Sequence, residues 1–172
     1  MNPLGSWSHS ASDVPAGGLT RTRKVSEDDC RAMAKALAIP TVDGIEVTYR
    51  ISTLPGGGYR LAGKLSGHVV QSCVVSLEPV PGTVKDSFDV EFWPDFARRA
   101  AEAEQSVLSG PDIEPLEQGV IDAGRIVFEC ISGALDPYPR KAGAEFGWRD
   151  PLAEKAGNSN PFAVLGKLKG GK

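Results

Sequence analysis

The sequence has few of the residues on which metal, redox and disulfide sites depend. It contains three cysteines and two histidines among 172 residues. Cys30, Cys73 and Cys130 are widely spaced, and each lies in an apolar pattern, which favours reduced, buried thiols over a disulfide framework. Cys73 also lacks the second thiol of a C-x-x-C half-site, because Ser76 stands at that position. We therefore expect no metal, no cofactor and no small-molecule substrate.

A positive charge excess and long apolar runs are also absent. The net charge is -3 and the pI is near 5.4, which argues against coating nucleic acid by bulk electrostatics, so any RNA contact has to be local. No run approaches the roughly 18 apolar residues of a membrane helix. The opening MNPLGSWSHS has neither the cationic start nor the apolar run of an export signal. These features predict a cytoplasmic protein without membrane contact.

The sequence lacks the common catalytic motifs. It contains no nucleophile motif, H-E-x-x-H, Walker loop or dinucleotide fingerprint. Glu129 has no second carboxylate or histidine at a compatible spacing, so we interpret it as a solvated side chain. We expect a protein that is not an enzyme. The weaker alternative is a metal-dependent hydrolase or nuclease that uses Glu78, Asp136 or Glu129.

The most regular pattern is a two-residue alternation over residues 59–79. Gly63 and Gly67 interrupt it, and glycine inside a strand typically marks a bulge or a bend. We therefore predict a long, curved strand, or two strands joined by a kink, with one aliphatic face in the core. The residues predicted to form that face are Leu61, Leu65, Val69, Cys73, Val75 and Leu77.

Further strands and helices follow from periodicity and caps. Residues 45–54 and 84–92 alternate like strands, and turns at 55–58 and at Pro81-Gly82 would make an antiparallel meander. Residues 7–14 and 19–25 are predicted to be two strands around a turn at 15–18. Ser26 and Asp122 are candidate caps for helices over 27–38 and 123–135. The prediction is an α+β fold, a curved antiparallel sheet that is open or approaches a barrel, packed by two main helices.

Length favours one domain with extensions. We assign residues 1–148 to a single α+β domain, with 95–118 as a mobile acidic loop, and 149–172 to a linker and a short C-terminal tail helix. In this tail Asn160 is the cap, Phe162 and Leu165 line one side, and Lys167 and Lys169 add charge. Such an amphipathic segment fits a groove, either on its own domain or on a partner.

Two other segments have the composition of binding sites. Arg21, Arg23 and Lys24 form a small basic cluster, for which a solvated strand face is the favoured alternative. Pro137 and Pro139 restrict the backbone before two cations. They would present Tyr138, Arg140 and Lys141 with little ordering entropy left to lose. The equally supported alternative is a rigid helix exit with Tyr138 packed on the sheet.

Several segments together resemble one known family. Their matching residues are Gly63, Gln71, Cys73, Glu78, Pro79, Asp122, Glu129, Pro137, Pro139 and the ending at 160–165. In order and spacing these segments cover most of the chain after about Val25, and they are similar to the YceD-like family of bacterial proteins associated with accumulation of large-subunit ribosomal RNA, also found in plastids. Many members of that family carry C-x-x-C, whereas Ser76 replaces the second cysteine here. A later cysteine of some members corresponds to Ala142 or Gly143.

The resemblance implies a cytoplasmic, non-catalytic factor that supports accumulation and processing of large-subunit (23S) rRNA and ribosome assembly. Its partners would be rRNA or a pre-ribosomal particle, and ribosomal or assembly proteins. The alternative is a protein-protein adaptor that does not contact RNA. Competition by rRNA distinguishes the two, because salt weakens contacts to acidic proteins as well as contacts to phosphate.

Overall fold

In the computed structural model the described residues are 3–103 and 110–147. They form a five-stranded sheet, a two-stranded sheet and helices, which confirms the predicted α+β class. The strands are β1 (Ser8–Ser10), β2 (Leu19–Lys24), β3 (Thr41–Thr53), β4 (Tyr59–Ser72), β5 (Pro79–Trp93), β6 (Asp112–Pro115) and β7 (Val120–Asp122), and the helices are α1 (Glu27–Ala36), α2 (Phe96–Ala103) and α3 (Ala123–Gly133). The predicted linker and tail helix at 149–172 lie outside the described residues.

The main sheet has the order β2-β3-β4-β5-β6. Strands β2 to β5 pair antiparallel, so the predicted meander is confirmed, whereas β6 adds to β5 in parallel. Within residues 3–103 and 110–147, the outermost strands β2 and β6 do not pair with each other. The predicted approach to a barrel is therefore wrong. The central strands are much longer than these edge strands, which lie on opposite sides of them.

The predicted strand over 59–79 ends early, at Ser72. The next residues form a turn, in which the Cys73 amide donates to the Glu78 carbonyl at 2.8 Å and Leu77 has a positive φ of 61°. Val75 is therefore only half-buried, and Leu77 is 78% exposed instead of continuing the core face. The alternation in the sequence was misleading here, because the turn depends on contacts with a distant segment described below.

The predicted turn at Pro81-Gly82 is also wrong, since both residues lie inside β5, opposite Val70 and Val69 of β4. Strand β6 pairs with β5 only at Val90–Trp93, so the outer edge of β5 is open at the proline. An open edge tolerates a residue without a backbone N–H. The β4–β5 hairpin is consequently longer than predicted.

The core lies between one face of the sheet and helices α1 and α3. Gly63 and Gly67 are on this face, where they make room for larger neighbours. A Cβ at Gly63 would be 2.6 Å from the Phe88 ring and 2.7 Å from the Tyr49 Cβ. A break in register occurs on β3, between Asp43 and Glu46. The residues that α1 and α3 bury in the core include Cys30, Met33, Ala34, Ile126, Val127 and Ile131.

Both predicted helix starts are confirmed. The Ser26 hydroxyl accepts a hydrogen bond from the Asp29 amide at 3.2 Å, and the Asp122 carboxylate accepts one from the Arg125 amide at 3.0 Å. Each side chain satisfies a backbone N–H that has no partner within its own helix. The caps therefore set where α1 and α3 begin.

The predicted N-terminal hairpin is wrong. Strand β1 pairs with β7, from Ser8 opposite Asp122 to Ser10 opposite Val120, and 3-10 turns precede and follow it. Leu4 and Trp7 are buried in the common core beside the start of α3. Burial of these two side chains brings the N-terminal segment to β7 and away from β2.

The prediction of an acidic loop over 95–118 is wrong for the described part of that segment. It contains α2, β6 and a 3-10 turn. The Arg99 guanidinium lies 4.8 Å from the centre of the Trp93 ring, so α2 lies against the end of β5. Strand β6 obtains its hydrogen bonds from the edge of β5, which a pattern within the segment does not reveal.

Candidate recognition surface

Two segments that are distant in sequence form one unit at the end of the β4–β5 hairpin. We call residues 73–78 together with 136–141 the paired loop. The Gln71 side chain joins them, because its Nε2 donates to the Asp136 carbonyl at 2.8 Å and its Oε1 accepts from the Asp136 amide at 3.2 Å. A side-chain amide that uses both ends on one backbone position fixes the relative placement of the two segments.

Further bonds extend this connection along the proline segment. The Val74 amide donates to the Pro139 carbonyl at 2.9 Å, and the Lys141 Nζ lies 2.6 Å from a Glu78 carboxylate oxygen. This ion pair is half-exposed, so solvent screens it and it adds little to stability. The ring of Pro139 is buried. The segment is therefore held at both of its ends and in the middle.

The paired loop presents large side chains to solvent. Tyr138 is 74% exposed, Leu77 78% and Val74 48%, and Arg140 beside them is also exposed. The alternative in which Tyr138 packs on the sheet is therefore wrong. Tyrosine and arginine are among the residues that contribute most to binding at protein interfaces. A rigid backbone that exposes them loses little entropy when a partner binds.

Cys73 lies at the centre of the paired loop and has no exposed surface. Its Sγ accepts hydrogen bonds from the amides of Lys141, Ser76 and Val75, each at 3.4 Å. These donors, with the amide of Lys141 as the largest contributor and with help from the Ser76 hydroxyl, lower the pKa of the thiol to about 6, although burial opposes the shift. At neutral pH the sulfur is therefore largely a thiolate that accepts backbone hydrogen bonds from both segments.

Cys73 could supply only one thiolate ligand to a metal ion. Ser76 occupies the position of a second thiol. Among residues 3–103 and 110–147 no group of three or more His, Cys, Asp or Glu side chains is arranged to hold a metal ion. The three cysteines are all free. Cys30 is buried as expected, but Cys130 is only half-buried.

The structure separates the predicted basic cluster on β2. Lys24 makes an ion pair of 2.6 Å with Glu46, whereas Arg23 lies 5.1 Å from the centre of the Trp7 ring. Adjacent strand residues point to opposite faces, so Arg21 and Arg23 lie on one face and Lys24 on the other. The three cations do not form a common surface, and β2 is two strands away from the paired loop's strand β4.

A partly buried histidine, His9, lies near the face of β2 that carries Arg21 and Arg23. The Nε2 of His9 is 2.8 Å from the hydroxyl of Tyr49. Burial, followed by the charges of Arg23 and Arg21, lowers the pKa of His9. The imidazole is therefore neutral at pH 7 and serves as a hydrogen-bond partner of the Tyr49 hydroxyl in the core.

The other residues of the family pattern have structural positions. Pro79 begins β5, and Pro137 is exposed in the paired loop. Glu129 is exposed on α3 and lies 3.1 Å from Arg125, which also binds Glu114 at 2.7 Å. The predicted tail residues Asn160, Phe162, Leu165, Lys167 and Lys169 lie outside the described residues.

The three carboxylates proposed for a hydrolase do not form one site. Glu78 binds Lys141, and the Asp136 carboxylate accepts the Tyr138 amide at 2.9 Å. Glu129 is on α3 and binds Arg125. Each of these carboxylates therefore already has a hydrogen-bond or ion-pair partner within the protein.

Sequence reasoning missed Leu77 as a surface residue, because it placed this residue on the inward face of a strand. No local signal marks Leu77 as a residue with positive φ, since leucine rarely adopts that conformation. Pro137 and Pro139 were the available signal that the second segment leaves regular structure, whereas Pro79 and Pro81 lie within β5.

Comparisons with family models, with curated proteins and with solved structures returned no match to this chain. None of the helices within residues 3–103 and 110–147 has the length and apolar character needed to span a membrane.

Proposed function

We propose that this protein is a non-catalytic cytoplasmic factor that supports accumulation and processing of large-subunit (23S) rRNA and ribosome assembly. The observation that carries the proposal is the paired loop, which holds Tyr138 and Arg140 exposed on a backbone fixed by Gln71, Cys73 and Pro139. The residues on which the YceD-like resemblance depends include those that build this loop. Its function is therefore to bind another macromolecule.

Tyr138 and Arg140 suit a ribosomal partner. An exposed tyrosine ring stacks on an unpaired base, and such stacking contributes about 1–3 kcal/mol per base. The guanidinium of Arg140 can donate two parallel hydrogen bonds to the oxygens of one phosphate. Both of these hydrogen bonds are charge-assisted. The locked backbone limits the entropy that these contacts cost.

The direct test is co-sedimentation of the full chain with pre-ribosomal particles from its own cells. We expect the double variant Tyr138→Ala/Arg140→Gln to leave the particle fractions, and cells that carry it to contain less 23S rRNA. The matched control is Phe96→Ala/Arg31→Gln, which removes an exposed aromatic ring at the other end of β5 and a surface cation on α1. If the wild-type chain is absent from the particles and its deletion leaves 23S rRNA unchanged, the proposal is wrong.

The second candidate is a protein-protein adaptor. Val74 and Leu77 add exposed aliphatic side chains to the paired loop, which also exposes Tyr138, and exposed aliphatic and aromatic side chains are typical of protein interfaces. Competition separates the two candidates, because free rRNA displaces the chain from its partner only if RNA is part of the contact.

Removal of residues 160–172 tests the tail independently. Unchanged association with the particles would show that the tail is not required.

A further inference from the structure

Within the part of the chain that the structure describes, helices cover one face of the main sheet only at the end of β5, where Arg99 of α2 contacts Glu91 and Trp93. Helices α1 and α3 pack on the opposite face, where Val47, Leu65 and Phe88 are buried. On the uncovered side, Lys64 and Lys85 are exposed and Ser66 is half-buried. We call this side the open face. Its central residues are Thr22, Lys24, Glu46, Thr48, Lys64, Ser66, Lys85 and Ser87.

These residues form two rows across β2, β3, β4 and β5. The first row is Thr22, Thr48, Lys64 and Ser87, and the second row is Lys24, Glu46, Ser66 and Lys85. Lys64 and Lys85 are diagonal neighbours in this arrangement, with a hydroxyl group opposite each of them. Diagonal Cβ atoms on adjacent strands are about 7–8 Å apart, so both ammonium groups reach the same ligand.

The charges on the open face leave these two lysines without partners. Glu46 is bound to Lys24 at 2.6 Å, and Asp89, farther along β5, is bound to Arg60 at 2.7 Å. In the part of the chain that the structure describes, neither Lys64 nor Lys85 has a carboxylate within ion-pair distance. Asp86, the neighbour of Lys85 in sequence, is turned to the other side, where its carboxylate interacts with the Cys130 thiol.

The local shape allows a ligand to reach the lysines. A depression of about 410 Å³ is lined by Glu46, Thr48, Lys64, Leu65, Ser66, Lys85 and Asp86. It contains hydroxyl and ammonium donors and no aromatic ring. Its two carboxylates have other partners, because Glu46 binds Lys24 and Asp86 interacts with the Cys130 thiol. Serine, threonine and lysine side chains of this kind are those that contact phosphate and sugar in nucleic-acid complexes.

The other side of β5 has the opposite charge. A cavity of about 550 Å³ between β5, β6 and α3 is lined by several carboxylates. A phosphate backbone is repelled from that side and attracted to the open face, although the whole chain is acidic. The carboxylates are those of Asp86, Asp112, Glu114 and Glu129, with Asp89, which belongs to the open face and is bound to Arg60, at the border.

We infer that the open face binds the phosphodiester backbone of RNA, with Lys64 and Lys85 contacting phosphates and the Thr48 and Ser66 hydroxyls donating to phosphate or sugar oxygens. This inference rests on the proposed function, and it adds a direct RNA contact at a site separate from the paired loop. Binding there depends on charge and hydroxyl donors, so it does not select sequence.

The test measures binding of the purified full chain to a short labelled single-stranded RNA of mixed sequence over a range of salt concentrations. Each lysine-phosphate contact contributes about 0.7 to the slope of log K against log salt for single strands. Lys64→Gln/Lys85→Gln should lower the slope by about 1.4 and the affinity at about 0.1 M salt by about tenfold or more. The control Arg31→Gln/Lys35→Gln removes the same charge from exposed positions on α1 and should retain the wild-type slope.

Each outcome separates the two proposals. If the lysine variant and the control have the same slope as the wild type, or if the wild type does not bind RNA, the open face is not an RNA site. Co-sedimentation with pre-ribosomal particles would in that case still support the proposed function through protein contacts. The remaining outcome is a slope of log K against log salt that falls for the lysine variant alone, while the wild type is absent from the particles. In that case the open-face inference stands and the ribosomal role fails. Both variants are exposed substitutions, and an unchanged urea midpoint confirms their folding.

Discussion

Strand β4 passes through two regions that are held together in different ways. At Gly63 an added Cβ would be 2.6 Å from the Phe88 ring, and the region contains closely packed apolar side chains. At its end, beyond Ser72, the same strand leads into the paired loop, where hydrogen bonds from Gln71, Val74 and Lys141 connect two segments. The first region is stabilised by close packing of side-chain volumes, and the second by hydrogen bonds between matched donors and acceptors.

The difference explains where binding surface can exist. A region held by packing has to bury its large side chains, as Tyr49 and Phe88 are buried. A region held by backbone hydrogen bonds can leave its side chains exposed, as Tyr138 and Leu77 are. Substitutions should therefore affect stability most in the core and recognition most in the paired loop.

The largest loss of stability is expected for Gly63→Ala. The new methyl group would overlap Phe88, Tyr49 and the Thr48 carbonyl oxygen, so side chains and backbone must shift. Overpacking of this kind costs about 1–3 kcal/mol. Urea unfolding measures it, with Gly133→Ala at the end of α3 as the control. Nothing lies within 4 Å of a Cβ there, and the control should be unchanged or slightly more stable. Equal midpoints for the two variants would contradict the packing argument.

A smaller loss is expected for Gln71→Ala, which removes both hydrogen bonds to Asp136. The cost in unfolding free energy is about 1 kcal/mol, because water replaces part of what is lost at this accessible position. Amide hydrogen exchange gives the sharper measurement. The amides of Val74 and Lys141 should exchange faster, whereas the amide of Val47 in β3 should not. Gln71→Glu keeps the acceptor and loses the donor, so its exchange should be intermediate. Uniform acceleration throughout the sheet would show that the paired loop is not a separate unit.

The pKa values of Cys73 in the paired loop and of Cys130 on α3 should be shifted in opposite directions. Hydrogen bonds lower the pKa of Cys73 to about 6, whereas burial, followed by the Asp86 charge, raises the pKa of Cys130 to about 12. The thiolate absorbance that appears between about pH 5 and about pH 8 should be lost in Cys73→Ser and retained in Cys130→Ser.

Stability should follow the same titration. An unfolded thiol has a pKa of about 8.5, so the folded pKa of Cys73 is the lower one. The stability linked to its thiolate is complete above about pH 8.5 and is lost as the pH falls through about 6. The difference in unfolding free energy between the wild type and Cys73→Ser should therefore grow from pH 5 to pH 9. A difference that is independent of pH would mean that the thiol is not ionised in the fold.

The smallest effect on stability is expected for Tyr138→Ala. With 74% of its surface exposed, the side chain contributes little to the core, and the change should stay within about 0.5 kcal/mol. Association with pre-ribosomal particles should nevertheless fall. A loss of stability as large as that of Gly63→Ala would show that Tyr138 has a packing role, and the comparison between core and paired loop would fail.

Local signals in the sequence were sufficient where the relevant partners are close in the chain. The caps Ser26 and Asp122 were predicted because a cap and its recipient amide are three residues apart. The meander of β3, β4 and β5 was predicted from alternation and from the glycine-rich turn at 55–58. Gly63 was recognised as exceptional, although its role is close packing and not a bend.

The candidate surface was predicted only in part. The two prolines around Tyr138 predicted a stiff segment, with Tyr138 either exposed for binding or packed on the sheet. The sequence did not indicate that the partner of this segment is the turn after β4, because the bonds from Val74 to Pro139 and from Lys141 to Cys73 join residues far apart in the chain. The same limit explains why β1 was paired with the wrong strand.

By itself, the sequence determined the α+β class, the helix starts and the inner face of the central strands, because these depend on periodicity and on contacts within one turn or hairpin. The tertiary structure alone decided that β6 adds in parallel, that the sheet stays open, and that Lys64 and Lys85 share a face without acidic partners. Strand pairing and charge compensation join distant parts of the chain, and they are settled only when burial of the core brings those parts together.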